Sequence, residues 1–130
     1  MNDYLHVLRN YGTVTGRARR REYWMFYLVH AVVIFLLSVL DELLGTRVGS
    51  GARTELGLIA GLYLVVTLAP YVAVSVRRLH DGGRSGWWLL VSLVPLVGPI
   101  VLLIFLIQDG EPGANTWGPS PKAAPARAAR

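Results

Sequence analysis

Three long runs without a formal charge divide the chain, and the ionisable clusters fall between them. Residues 23–40 form the first run, 56–76 the second and 87–107 the third. At about 1.5 Å of rise per helical residue, such runs reach roughly 27–32 Å, the thickness of a bilayer's hydrocarbon core. The pattern therefore predicts three membrane-spanning helices. Buried helices of a soluble bundle need polar faces, whereas the polar residues here gather in the connections. Ahead of the first run, Tyr4, Leu5, Leu8 and Tyr11 recur at helical spacing, which predicts a short interfacial helix over residues 3–11. The expected fold class is all-α: an integral membrane protein with three transmembrane helices and a short N-terminal interfacial helix.

Prolines modify two of the runs. Pro70 lies in the second, and Pro95 and Pro99 bracket Val97 and Gly98 in the third, so both helices are expected to kink. A third run broken into a re-entrant hairpin would return the tail beside the 77–86 segment. Each half would be too short to cross, and its turn would need shielding from lipid. A single kinked span, with the tail on the opposite side from the N-terminus, is the preferred expectation. The first run is longer than a signal-peptide core and ends at Asp41 and Glu42 without a small-residue cleavage site, which predicts a retained anchor. Beyond residue 109 the chain turns to Gly, Pro, Ala and Ser, and residues 122–130 read as a disordered tail after a membrane domain over 1–121.

Composition agrees, with 53% hydrophobic against 16% charged residues. Lys and Arg fix the expected orientation. Arg9, Arg17, Arg19, Arg20 and Arg21 precede the first run and Arg77, Arg78 and Arg84 follow the second, whereas the first loop holds only Arg47 and Arg53. By the positive-inside rule the N-terminus is cytoplasmic. The net charge of +5 flanks apolar spans, so anionic lipid explains it better than nucleic acid, and no nucleic-acid partner is expected. The chain has no cysteine, which excludes a disulfide framework and a thiolate metal site.

Candidate chemistry concentrates in residues 77–88, read as a surface loop. Arg77, Arg78 and Arg84, the backbone of Gly82 and Gly83, and the facing Arg17, Arg20 and Arg21 form a candidate cradle for a phosphate or lipid headgroup. His80 beside Asp81 is the one adjacent His and acid pair, but no nucleophile accompanies it, and pairing of Asp81 with a nearby arginine is the simpler reading. His30 lies within the first run, where an imidazole bonded to a neighbouring helix is the simpler reading than a functional one. His6, His30 and His80 have no ligand spacing, so neither metal nor cofactor is expected. Gly57 and Gly61 make a G-x-x-x-G that allows close helix approach, within the monomer or in a homo-oligomer.

Three ordered motifs are specific when taken together. They are Gly16-Arg17-Ala18-Arg19-Arg20-Arg21-Glu22-Tyr23-Trp24; Arg77-Arg78-Leu79-His80-Asp81 with Arg84-Ser85-Gly86-Trp87-Trp88; and Gly110-Glu111-Pro112-Gly113-Ala114-Asn115-Thr116-Trp117-Gly118-Pro119. With these apolar runs between them, the chain resembles the bacterial inner-membrane family called domain of unknown function 805, over nearly its whole length up to about Pro121. Gly82 stands where members often carry a larger residue, and Trp117 where Tyr or Phe is usual. The resemblance implies a small bacterial plasma-membrane protein, directs attention to Asn115 as a further polar candidate, and brings no established activity. A non-enzymatic membrane protein acting through lipid or protein contact is the leading expectation. A subunit of an oligomeric transporter or channel is the alternative, and a membrane-embedded enzyme using His80 and Asp81 ranks below it.

Overall fold

Residues 20–44 contain neither glycine nor proline. In the computed structural model they form one unbroken helix, α2 (Arg20–Leu44), which ends where Gly45 turns left-handed. The structure describes residues 2–49 and 56–123, with side chains over 4–49 and 57–123. Arg53, Arg127, Arg130 and most of the tail expected to be disordered lie outside them. Two short strands, β1 (Arg47–Val48) and β2 (Leu56–Gly57), pair antiparallel and lead into α3 (Leu58–Asp81), which returns beside α2. Both long helices are long and apolar enough to cross a bilayer. They outrun the expected spans, and Arg77 to Asp81 form the last helical turn of α3 rather than a loop.

The N-terminal helix is α1 (Asn2–Arg9). Its inward side chains are Tyr4, Val7 and Leu8, whereas Leu5 and Tyr11, expected on the apolar face, are about half exposed. The helix packs on α2, where Tyr4 stacks on Phe26 with ring centroids 5.4 Å apart, and it also touches α3. Tyr11 serves the interior in another way. Pro70 sits inside α3 and has no N–H to offer the Val66 carbonyl one turn back. The Tyr11 hydroxyl donates to that carbonyl at 3.1 Å.

The third apolar run does not form one helix, which corrects the expectation of a kinked span. Ser85 accepts a hydrogen bond from the Trp87 N–H and opens a 3-10 helix, Gly86–Leu93. Val94, extended because a residue before proline disfavours the helical region, then breaks the run at Pro95. Leu96 follows with φ of 65°, the one positive value outside glycine among the described residues, and α4 (Val97–Ile107) begins. Pro99 is therefore a first-turn proline of a new helix, where its missing N–H costs nothing, and not a kink. The two legs lie against each other, so close at Gly98 that a Cβ would overlap the Val91 carbonyl. Leu106 and Gln108 consequently return to the end of α3 that holds Arg78.

Candidate functional site

The polar residues of the three motifs meet at that shared end, and most of them turn inward. Asp81 is almost fully buried. Its Oδ1 accepts from Arg17 Nε at 3.0 Å and its Oδ2 from Arg78 Nη1 at 2.5 Å. Two guanidinium groups around one carboxylate leave an excess positive charge, and main-chain oxygens face it. Arg78 donates to the carbonyls of Leu106, at 3.1 Å, and Gln108. Arg17 donates to Glu111 and Gly113, each at 2.6 Å, and more weakly to Asp81 and Gly118. A planar fork with five donors suits this task, because it reaches several acceptors in fixed directions. The Glu111 N–H returns a bond to the Asp81 carbonyl at 2.7 Å. Gly110 completes the joint, since a Cβ there would overlap the Asp81 carboxylate.

A second buried pair lies beside the first. Arg77 Nη1 forms an ion pair with Glu22 at 3.1 Å, and Glu22 also meets His6 Nδ1 at 3.1 Å. Arg77 Nε and Nη2 are buried with no hydrogen-bond partner among the described residues. The Arg77 carbonyl accepts from the Ala18 N–H at 3.0 Å, which lays the N-terminal segment along α3.

His80 and Asp81 serve different partners. The His80 ring meets the Gly16 carbonyl through Nδ1 at 3.1 Å and stacks on Trp117 with centroids 4.6 Å apart. Asn115 donates to the His80 carbonyl at 2.9 Å and to Glu111 at 3.0 Å, fixing the tail over the helix end. His30 stands apart from the cluster, bonded through Nδ1 to the Tyr63 hydroxyl of α3 at 3.1 Å.

Of the residues expected to cradle an external anion, Arg17, Arg77 and Arg78 turn inward. They are buried on internal carboxylates and carbonyls, and the Glu111 carboxylate lies against Gly83. Arg84 curls back to the Gly82 carbonyl at 3.2 Å and places its guanidinium 4.1 Å from the Phe105 ring centre. Arg20 meets Asp109 at 3.4 Å, and Arg21 is exposed but has a partner. Asp109 also takes a bond from Lys122 at 2.9 Å, and these two cations hold its carboxyl below the usual carboxylate range.

Glu22, Gly110 and Glu111 stood inside the quoted motifs without being named as site residues, and Trp117 was noted only as a departure from the family pattern. A signal for Glu22 was present, since each of the two arginine-rich motifs holds a single acid among several bases. Which base that acid serves depends on how the segments meet.

Two apolar helices, a broken third run and an inward-facing charge cluster define a small helical membrane protein. The chain belongs to the family described as "Protein of unknown function (DUF805)", whose model matches residues 11–119. It is 44% identical over 125 residues to inner membrane protein YhaH of Escherichia coli (strain K12), covering 96% of this chain and all of that one. Inner membrane protein YhaI of the same strain is also 44% identical, over 122 residues that cover 94% of this chain and 97% of that one. No solved structure matches.

Proposed function

We propose that the protein is a non-enzymatic component of the bacterial inner membrane that acts by contact, with its N-terminus and tail both cytoplasmic. The observation that carries this reading is the burial of Arg17, Asp81 and Arg78 in one joint. That joint ties the N-terminal segment, α3, the end of the hairpin and the tail together. Both His80 and Asp81 are committed to structural partners, which speaks against an acid and base pair. The cytoplasmic assignment follows from the arginines that cluster at this end and the sparse basic residues of the opposite loop.

In this reading the contact with anionic headgroups belongs to the bases left at the surface. Arg19 is exposed, and Arg84 is partly exposed beside the outward rings of Trp87 and Trp88. Tryptophan favours the lipid interface, and each basic residue near it adds about 1 kcal/mol toward anionic lipid. The test is native mass spectrometry from nanodiscs that contain phosphatidylglycerol. Arg19→Gln combined with Arg84→Gln leaves the buried joint intact and is expected to lose retained anionic lipid. Equal retention in wild type and variant contradicts the lipid role.

A further inference from the structure

His30 stands about 15 Å along α2 from Arg20 and about 21 Å from Leu44, so its ring lies well inside the hydrocarbon core. An imidazole at that depth needs a partner for each nitrogen, because hydrocarbon offers none. The chain serves one of them. Nδ1 meets the Tyr63 hydroxyl at 3.1 Å, and that hydroxyl lies 3.4 Å from the hydroxyl of Tyr4. A phenol O–H is a stronger donor than a neutral imidazole N–H, so Tyr63 donates to Nδ1 and Tyr4 donates to Tyr63. The ring proton then sits on Nε2, and among the described residues nothing accepts it.

His30 is only 8% exposed, and it borders a cavity of about 350 Å³ between α2 and α3. Tyr27 and Tyr71 add two further aromatic rings to the lining. Thr67 borders the cavity as well, but its hydroxyl is spent on the Tyr63 carbonyl at 2.7 Å. The rest of the lining is aliphatic. Tyr27 and Leu68 are exposed, so the cavity opens toward lipid.

An acyl chain can fill this space but brings no acceptor to Nε2, and the ester and headgroup oxygens of a phospholipid stay at the interface. A charged ligand is costly at such depth. The occupant that suits the site is neutral and soluble in hydrocarbon. It carries a carbonyl oxygen, and it is flat enough to lie against aromatic rings. We propose that the cavity binds the ring of a lipid-soluble quinone, with His30 Nε2 donating to one of its carbonyl oxygens. The site is separate from the lipid contact made by Arg19 and Arg84.

The test uses full-length protein in nanodiscs, with a decyl-substituted benzoquinone as probe and decylbenzene as the control that lacks carbonyls. In nitrogen NMR of the imidazole side chains, the His30 Nε2 signal is expected to shift to saturation with the quinone and to stay in place with decylbenzene. Ala31→Phe adds bulk to the cavity lining and leaves the bond between His30 and Tyr63 in place. His30→Phe keeps a ring there and removes the donor. In native mass spectrometry each variant is expected to retain about tenfold less quinone than wild type, the loss of roughly one hydrogen bond. An Nε2 signal that ignores the quinone means that water serves the nitrogen, and it overturns the proposal. So does an equal shift with decylbenzene, or quinone retention in either variant equal to that of wild type.

Discussion

Asp41 and Asp81 are both almost completely buried, one at each end of the α2 and α3 pair, and the chain neutralises them in opposite ways. Asp41 is bonded by neutral donors. The Thr46 hydroxyl and the N–H groups of Ile59, at 3.0 Å, and Ala60, at 2.9 Å, point at it, so it caps the start of α3 from the neighbouring helix. Asp81 is gripped by Arg17 and Arg78, whose remaining donors reach carbonyls at the end of the hairpin and in the tail. The first is a local stop that fixes where one helix begins. The second is a joint, and its loss frees several segments together.

Substitution by asparagine separates the two most strongly. Asp81→Asn leaves two buried guanidinium groups short of their counter-charge and is expected to cost about 3–5 kcal/mol. Asp41→Asn keeps an acceptor for Thr46 and Ile59 but sets its NH2 against the Ala60 N–H, and this one lost bond with no charge left unpaired is expected to cost about 1–3 kcal/mol. Circular dichroism melts in a mild detergent measure both, and equal losses erase the distinction. Gly110→Ala sharpens it further. Its Cβ intrudes on Asp81 without altering any charge, and such overpacking is expected to cost about 1–3 kcal/mol. Limited proteolysis then finds residues 109–119 newly open, while the 45–49 loop is unchanged.

The smallest effect is at the rim of the joint. Lys122 and Arg20 depress the Asp109 carboxyl, so the folded state holds it ionised at a pH where the unfolded chain has begun to protonate it. Its contribution is complete above the ordinary value of about 4 and is lost as pH falls through the depressed one. Because the group is exposed, the stability change is small. Side-chain carboxyl NMR is the sensitive measurement, and Lys122→Ala is expected to move the Asp109 titration upward without shifting the melt at neutral pH.

Helices α2 and α3 were legible because charge-free length is the dominant signal for a span. The same signal misled at residues 87–107. The prolines were visible in the sequence, but their outcome depended on contacts the pattern does not carry: Gly98 closing one leg onto the other, and Arg78 drawing the carbonyls of Leu106 and Gln108 back to the first end. The arginines were legible as a group, and positive charge beside a span suggested a surface. Their burial followed from acids in other motifs, Glu22 and Asp81, and from tail carbonyls that no spacing rule connects to them. Val7 was missed because α1 packs on α2 and touches α3, and this selects Tyr4, Val7 and Leu8 over the stripe that ends at Tyr11.

The third apolar run turns back, and the proposed arrangement therefore puts the N-terminal segment and the tail on one side of the membrane. In the cysteine-free chain, Thr13→Cys and Thr116→Cys, both exposed, place one thiol on each segment, and Val48→Cys marks the opposite end. A membrane-impermeant maleimide is applied to spheroplasts and to inverted vesicles. Thr13→Cys and Thr116→Cys are expected to label only in inverted vesicles, and Val48→Cys only in spheroplasts. Labelling of Thr116→Cys in spheroplasts, with Thr13→Cys protected there, means that the run crosses the bilayer and contradicts a shared cytoplasmic side.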